Sequence, residues 1–408
     1  MNTVLIIGGG QAGGAAALAL RRHGFAGTIR IIGQEPLPPY ERPALSKGYL
    51  LGTSPFDKLV LLPETLAAEQ RITLTMGVAV TAIDRASRQV LTDDGQRLDY
   101  DALILATGGT ARALPGVPVD DRRLFAIRTA RDAGLIRERL ADAGSMLVIG
   151  GGWLGLEVAA SARKAGLAVT LIEAGPRLCG RALPPAVSDI LAALHASQGV
   201  DLRIGEAPTD IGADADGMHA RLADGTLIQA DLGVIAIGLT VSDGLAATAG
   251  LAVRDGVLTD AAGRTGDPAV FAIGDCARFH HGFLGAELRL ESWQNANLQA
   301  EAAARALLGL PDAAPEIPWF WSDQYHLTLQ ILGAPDPVAS PIRRGDPDGG
   351  RGSLLWCDPA GRLRGIAALN APRDIAMARR LIGAGLIVDP TRAADATVPL
   401  KDAVLATM

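Results

Sequence analysis

Cysteine is scarce in this sequence. Cys179, Cys276 and Cys357 are its only three, they stand far apart, and no C-x-x-C occurs. That excludes a zinc ribbon, a chain-borne iron–sulfur cluster and a dithiol redox pair. A sparse, odd count suits a reducing compartment. No apolar run reaches the length of a membrane span, and the first strand pattern begins at Thr3 without a basic leader. A soluble, cytoplasmic chain with no membrane partner is expected. The net charge is −6, which argues against a globally basic nucleic-acid surface. The 49 glycines follow no triplet period, so collagen is excluded. The six histidines show no H-x-x-x-H spacing, and the pair His280-His281 has no carboxylate partner in sequence, so no metal site is expected. Charged residues are only 20% of the 408 and hydrophobic ones 49%, which excludes extended disorder and allows two or three domains.

What the chain does have is glycine clustered at the ends of apolar runs. Residues 3–7 read as a buried parallel strand. Gly8-x-Gly10-x-x-Gly13 follows, then an alanine-rich helix to about His23, a strand over 28–32, and Glu35. In this pattern the first glycine makes a tight turn, the second lets the backbone approach a pyrophosphate, and the third lets helix and strand pack closely. The acid meets a ribose. The unit recurs at 146–149, Gly150-x-Gly152-x-x-Gly155, a helix to about Lys164, a strand over 168–172, and Glu173. Two copies imply two dinucleotide sites, one for each of two cofactors. Glu173 at the ribose position favours NADH, because a carboxylate there repels a 2′-phosphate. Arg177 and Arg181 lie close behind it as the competing possibility for a phosphate.

Residues 103–109 and 233–238 read as strands ending against a ligand, and residues 270–275 as a strand ending in Gly-Asp. From about Ile317 the composition changes, with three of the five tryptophans, and a separate α+β segment is expected. Residues 340–352, rich in Gly, Pro and Arg, read as an exposed loop.

Taken together with Pro-Tyr-Glu-Arg-Pro-Ala-Leu-Ser-Lys (39–47), Ala-Thr-Gly (106–108), Ala-Ile-Gly-Asp (272–275), Glu-Ser-Trp-Gln-Asn-Ala (291–296) and Pro-Trp-Phe-Trp-Ser-Asp-Gln (318–324), the sequence resembles the oxygenase-coupled, NADH-dependent ferredoxin reductases. The resemblance implies a glutathione-reductase-like α/β fold with two Rossmann-type domains and a C-terminal α+β domain. Residues 1–112 and 244–316 would bind FAD, 113–243 would bind NAD, and 317–408 would form an interface domain. It implies electron transfer from NADH through FAD to a [2Fe–2S] ferredoxin. That ferredoxin would feed a terminal oxygenase, a Rieske ring-hydroxylating dioxygenase in aromatic hydrocarbon catabolism before a cytochrome P450. A monomer or weak homodimer is expected.

Carried onto this chain, the resemblance places Gly8, Gly10, Ala12, Gly13, Glu35, Arg42, Lys47, Val80, Ala106, Thr107, Gly108, Arg128, Gly274, Asp275 and Trp293 around FAD, with Trp319 or Trp321 near the far side of its ring. Gly150, Gly152, Leu154, Gly155, Glu157, Glu173, Arg181 and Gly238 would meet NADH. Lys47, Glu157 and Trp321 are the candidate catalytic residues, and Lys47 and Glu157 are expected to pair beside the flavin. Arg343, Arg344, Arg373, Arg379 and Arg380 are candidates for a basic patch that steers an acidic ferredoxin. Two rivals share the fingerprints. A flavin disulfide reductase, NADH oxidase or NADH peroxidase needs a redox cysteine early in the chain, and none precedes Cys179. A binding module like apoptosis-inducing factor usually carries targeting sequence and a basic surface, and neither is expected from these residues.

Overall fold

The β-branched run after Met1 forms the strand Thr3–Ile7, and its positive-φ glycine turn leads directly into the helix Gln11–Arg22. The computed structural model describes all residues except 118, 120, 121, 215, 216 and 406–408. Those parts of the expected NAD-binding and C-terminal segments lie outside the described residues. The chain divides into two units. The first holds Met1–Pro43, Pro55–Thr110 and Leu239–Glu316; the second holds Ala44–Ser54, Ala111–Gly238 and Ile317–Met408.

In the first unit five parallel strands lie in the order Val270–Ala272, Ala102–Leu105, Thr3–Ile7, Thr28–Gly33, Ile72–Met76. The helix Gln11–Arg22 packs on the helix Trp293–Leu307. Small buried side chains, Ala16, Ala17 and Ala19 on one and Ala300, Ala303 and Ala304 on the other, let the two backbones approach. A three-stranded antiparallel sheet, Val80–Asp84, Gln89–Thr92 and Arg97–Asp99, completes the segment before the Ala-Thr-Gly turn.

The second unit repeats the scheme. Its parallel sheet has the order Val200–Ile204, Ala168–Glu173, Ser145–Ile149, Leu232–Ile235, Leu124–Ala126. Its C-terminal part is a five-stranded antiparallel sheet, Trp319–Gln324, Leu327–Gly333, Leu363–Leu369, Arg351–Cys357, Ile342–Asp346, covered by the helix Pro372–Gly383. The two Rossmann-type sheets and the α+β segment expected from the sequence are present. The exposed loop expected over 340–352 is not: Ile342–Asp346 and Arg351–Cys357 pair as a hairpin, leaving only residues 347–350 as its turn. Gly, Pro and Arg read as a loop, but strand alternation buries one arginine, Arg344, on Asp374 and the carbonyls of Ala393, Asp395 and Val398. No helix among the described residues is long and apolar enough to cross a membrane.

The repeat extends to one polar device. Asp101, just before a strand, accepts hydrogen bonds from the N–H groups of Asn2 (2.5 Å) and Thr3 (2.9 Å), where the first central strand begins. Asp231 does the same for Gly144 and Ser145 (both 2.8 Å) and also takes the Ser145 hydroxyl. These donors hold the Asp231 carboxyl below the usual range, the Ser145 hydroxyl contributing most. Its stabilisation is therefore present above the unfolded-state pKa and is lost as the pH falls through the lower folded-state value. Asp231→Ala should lower stability by about 1 kcal/mol or less, because the carboxylate is part-exposed. Chemical unfolding at neutral pH and at about pH 3 should show a gap from the parent protein that closes on acidification. A gap independent of pH would assign the loss to packing.

Candidate functional site

The outer glycines of both fingerprints are required by the protein itself. A Cβ on Gly8 (φ +120°) would sit 2.1 Å from Ala106 O, and one on Gly13 only 2.0 Å from Gly8 O. At Gly150 and Gly155 the corresponding approaches are 2.4 Å to Ala236 O and 1.9 Å to Gly150 O. The middle glycines differ. A Cβ on Gly152 would meet no atom within 4 Å, and one on Gly10 only Arg42 Nη2 at 3.9 Å. Packing does not demand glycine there, whereas a ligand lying against the backbone does. Gly10 and Gly152 are also the N-caps of their helices, without a side-chain cap or an acid in the first turn, so the leading N–H groups face outward for an anion. In the first unit Gln11 Oε1 and Gln299 Nε2 are buried with no protein partner, and Gln299 Oε1 accepts from Gly274 N at 2.7 Å. The residues fit a dinucleotide pyrophosphate at both turns.

Beyond the first turn, Glu35 accepts from Arg42 Nη2 (2.5 Å) and from the Tyr40 hydroxyl (2.6 Å), and the Arg42 guanidinium lies over the Tyr40 ring at 5.0 Å. Burial works against the Arg42 charge, but Tyr40, Glu35 and Asp275 outweigh it and hold its pKa up. Asp275 occupies a short 3-10 turn, Gly274–Cys276, directly after the strand Val270–Ala272. Trp293 begins a helix, and its indole N–H donates to Glu41 at 3.1 Å. Ala12, Ala106, Thr107 and Gly108 line the same strand ends, and Val80 starts the strand Val80–Asp84. All of these lie in the first unit; Lys47, Arg128 and Trp319 belong to the second.

In the second unit Glu173 accepts from Gly151 N and Gly175 N, each at 2.6 Å, and so turns its carboxylate toward the second glycine turn. Arg177 is tied back through Nη1 to the Leu183 carbonyl and to Ser188 (3.2 Å). Arg181 lies near Gly238, 3.4 Å from the position a Cβ would take there. Leu154 stands in the first turn of the helix Trp153–Lys164, and Arg128 just precedes the capping box of the helix Ala130–Leu140.

Glu157, on the helix Trp153–Lys164, is only 7% exposed. Lys47 Nζ lies 3.0 Å from its Oε1, so the expected pair forms. Two residues not anticipated from sequence complete the carboxylate: Ser46 donates to Oε2 at 2.5 Å and Ser322 to Oε1 at 2.6 Å. Burial pushes the Glu157 carboxyl above its usual range, and Lys47 and the two hydroxyls oppose that. The Ser46 carbonyl is itself fixed by Ser161 Oγ at 2.7 Å. Trp319 and Trp321 stack at 4.9 Å on one face of their strand, and Lys47 Nζ sits 5.7 Å from the Trp321 ring. Ser322 was discoverable from strand alternation within Trp-Phe-Trp-Ser-Asp-Gln, which sets it opposite the tryptophans.

Residues 2–300 match the family of pyridine nucleotide-disulphide oxidoreductases, and residues 319–404 match a reductase C-terminal family. Rhodocoxin reductase of Rhodococcus erythropolis is 40% identical over 404 residues, covering 98% of this chain and 94% of that one. The ferredoxin–NAD(+) reductase component of the anthranilate 1,2-dioxygenase system of Burkholderia cepacia is 41% identical, covering 97% of this chain and 98% of that one. Among solved structures, the covalent putidaredoxin reductase–putidaredoxin complex superposes with a TM-score of 0.94 at 38% identity, over 98% of this chain and 97% of that one. With both nucleotide turns intact and similarity running along nearly its whole length, this chain belongs to the pyridine nucleotide-disulphide oxidoreductase family, among the ferredoxin reductases of oxygenase systems.

Proposed function

We propose that this chain takes electrons from NADH through FAD and delivers them to a [2Fe–2S] ferredoxin that supplies a terminal oxygenase, a Rieske dioxygenase before a cytochrome P450. The observation that carries the reading is the buried Lys47–Glu157 pair, in a chain of this family with no C-x-x-C, in which Cys179 and Cys276 are buried and Cys357 is part-exposed. Burial, with Glu173 and Glu157 nearby, pushes the Cys179 thiol up to about 12, and burial also raises Cys276, so neither is a thiolate near neutral pH. The relatives named as ferredoxin reductases, and the solved complex of one with its ferredoxin, support the acceptor. We assign residues 1–112 and 244–316 to FAD, 113–243 to NAD and 317–408 to the ferredoxin interface, in a cytoplasmic monomer or weak dimer.

FAD, when bound, supplies hydride acceptance and the return of electrons one at a time. The protein's part is placement and charge. The Gly8–Gly13 and Gly150–Gly155 turns would hold the two pyrophosphates, Glu35 and Glu173 would take ribose hydroxyls, and Lys47 with Glu157 would set the polar environment of the hydride step. Arg42 keeps Glu35 aligned. Trp321, stacked on Trp319, is proposed to line the electron path toward the ferredoxin.

The geometry at Glu173 predicts a strong preference for NADH. The purified flavoprotein should reduce an added [2Fe–2S] ferredoxin with NADH, and kcat/KM should exceed that for NADPH by about a hundredfold. Glu173→Ala should narrow the ratio by removing a ribose acceptor and a repulsive charge. Equal use of both donors by the parent enzyme would contradict this role.

For the docking surface, the arginine patch is revised. Arg344 is buried on Asp374, and Arg343 pairs with Asp348 at 2.5 Å. Arg373 and Arg380, exposed on the helix Pro372–Gly383, are the better candidates for steering. Changing both to Glu should slow ferredoxin reduction about tenfold at low salt and flatten its salt dependence. Turnover with ferricyanide, which needs no docking site, should barely move. Equal loss with both acceptors would place these arginines in folding instead.

A further inference from the structure

Glu157 is the end point of a longer polar chain that the reaction chemistry alone does not require. Ser322 Oγ, which donates to Glu157 Oε1 at 2.6 Å, accepts from Gln324 Nε2 at 3.1 Å. Gln324 Oε1 lies 2.8 Å from His195 Nε2, and His195 Nδ1 lies 3.2 Å from the Tyr325 hydroxyl. Ser322, Gln324 and His195 are 1%, 2% and 0% exposed, so water does not compete for the bonds among them; Tyr325 at the outer end is half-buried.

The donors and acceptors can be assigned in only one consistent order while Glu157 is a carboxylate and His195 is neutral. An anion only accepts, so Ser322 must give its proton to Glu157 and take one from the Gln324 amide. The amide oxygen then faces the imidazole and must receive the Nε2–H. Nδ1 is left as an acceptor for the Tyr325 hydroxyl. Four donors in series thus point toward one buried negative charge, each polarising the next. Burial keeps His195 below its ordinary pKa, which suits a neutral ring with one donor and one acceptor nitrogen.

The outer end is held at a conformational penalty. Tyr325 opens the two-residue turn between the strands Trp319–Gln324 and Leu327–Gly333 with φ +54°, where Asn or Gly is usual. Its ring stands edge-on to His195 at 5.1 Å, and Lys164 Nζ donates to its carbonyl at 2.8 Å. Charged and titratable groups approach the chain at both ends. Lys47 comes from Ala44–Ser54 and pairs with Glu157, and Cys179 lies near enough for the Glu157 charge to act on its thiol. Arg163 and Lys164 lie near Tyr325.

We propose that Ser322, Gln324, His195 and Tyr325 form a polarised hydrogen-bond chain that keeps Glu157 ionised and aimed at Lys47, and that these four are positioning residues for the pair. The pair's part in the hydride step rests on the function proposed above; its charge state does not.

The test uses the holoenzyme of the parent and of Ser322→Ala, His195→Leu, His195→Gln and Tyr325→Phe. Two readouts are followed across pH. One is the infrared band of a protonated buried carboxylic acid, assigned by its loss in Glu157→Gln. The other is the rapid-reaction rate of flavin reduction by NADH. In Ser322→Ala the band should appear at higher pH than in the parent, and the rate at the acid end should fall about tenfold, the deficit shrinking toward alkaline pH. His195→Leu should move both readouts the same way by less, and Tyr325→Phe by least. His195→Gln, whose amide can supply the missing N–H, should restore the parent behaviour. A band that titrates at the same pH in every variant overturns the proposal. A band that moves while the rate does not upholds the chain and instead removes Glu157 from the hydride step.

Discussion

The carboxylate of Glu157 is the constraint around which the second unit is arranged. A lone buried carboxylate is strongly disfavoured, and it becomes tolerable only when every lone pair is met. Meeting them draws together three stretches distant in sequence: residues Ala44–Ser54 through Ser46 and Lys47, the helix Trp153–Lys164 that carries the acid, and the strand Trp319–Gln324 through Ser322. Segment Ala44–Ser54 gains further anchors from Ser161 on the Ser46 carbonyl and from Arg137 over the Tyr49 ring at 4.9 Å. The cost of burying one charge thus specifies how a short excursion of the chain, the NAD-type sheet and the C-terminal sheet meet.

The two nucleotide turns solve a different problem, and solve it twice. Each needs a backbone that crosses a neighbouring carbonyl, which the outer glycines permit, and a clear face where phosphate can approach, which the middle glycine leaves. Each has its acid at the end of the next strand. The acids are held differently: Glu35 by Arg42 and Tyr40, Glu173 by two backbone N–H groups.

Sequence reasoning reached these turns because the information is local. Strand, glycine spacing, helix and acid all fall within about thirty residues. The Lys47–Glu157 pair was reached by resemblance, not spacing, since its members lie on separate elements. The hydroxyl partners were harder: Ser46 and Ser322 are 111 and 165 residues from Glu157, and a serine carries no sequence mark of a buried acceptor. The period of two within Trp319–Gln324 held part of the answer, setting Ser322 and Gln324 on the face opposite Trp319, Trp321 and Asp323. The same period explains why Arg344 does not join a surface patch. Arg343 and Arg344 look like one basic patch, but adjacent residues in a strand face opposite ways, and Arg344 turns inward to Asp374. The supposed loop around them failed for the same reason.

The central claim is that Lys47 and Glu157 act as one buried unit, each tolerable only with the other. A double-mutant cycle with Lys47→Met, Glu157→Gln and the combination, read as the rate constant for flavin reduction by NADH, tests it most directly. Each single change should be more harmful than its share, because it strands a buried partner. The coupling should amount to about 2 kcal/mol, with the double variant no worse than the poorer single one. Strictly additive losses would contradict the account and reduce the ion pair to two neighbouring side chains that happen to touch.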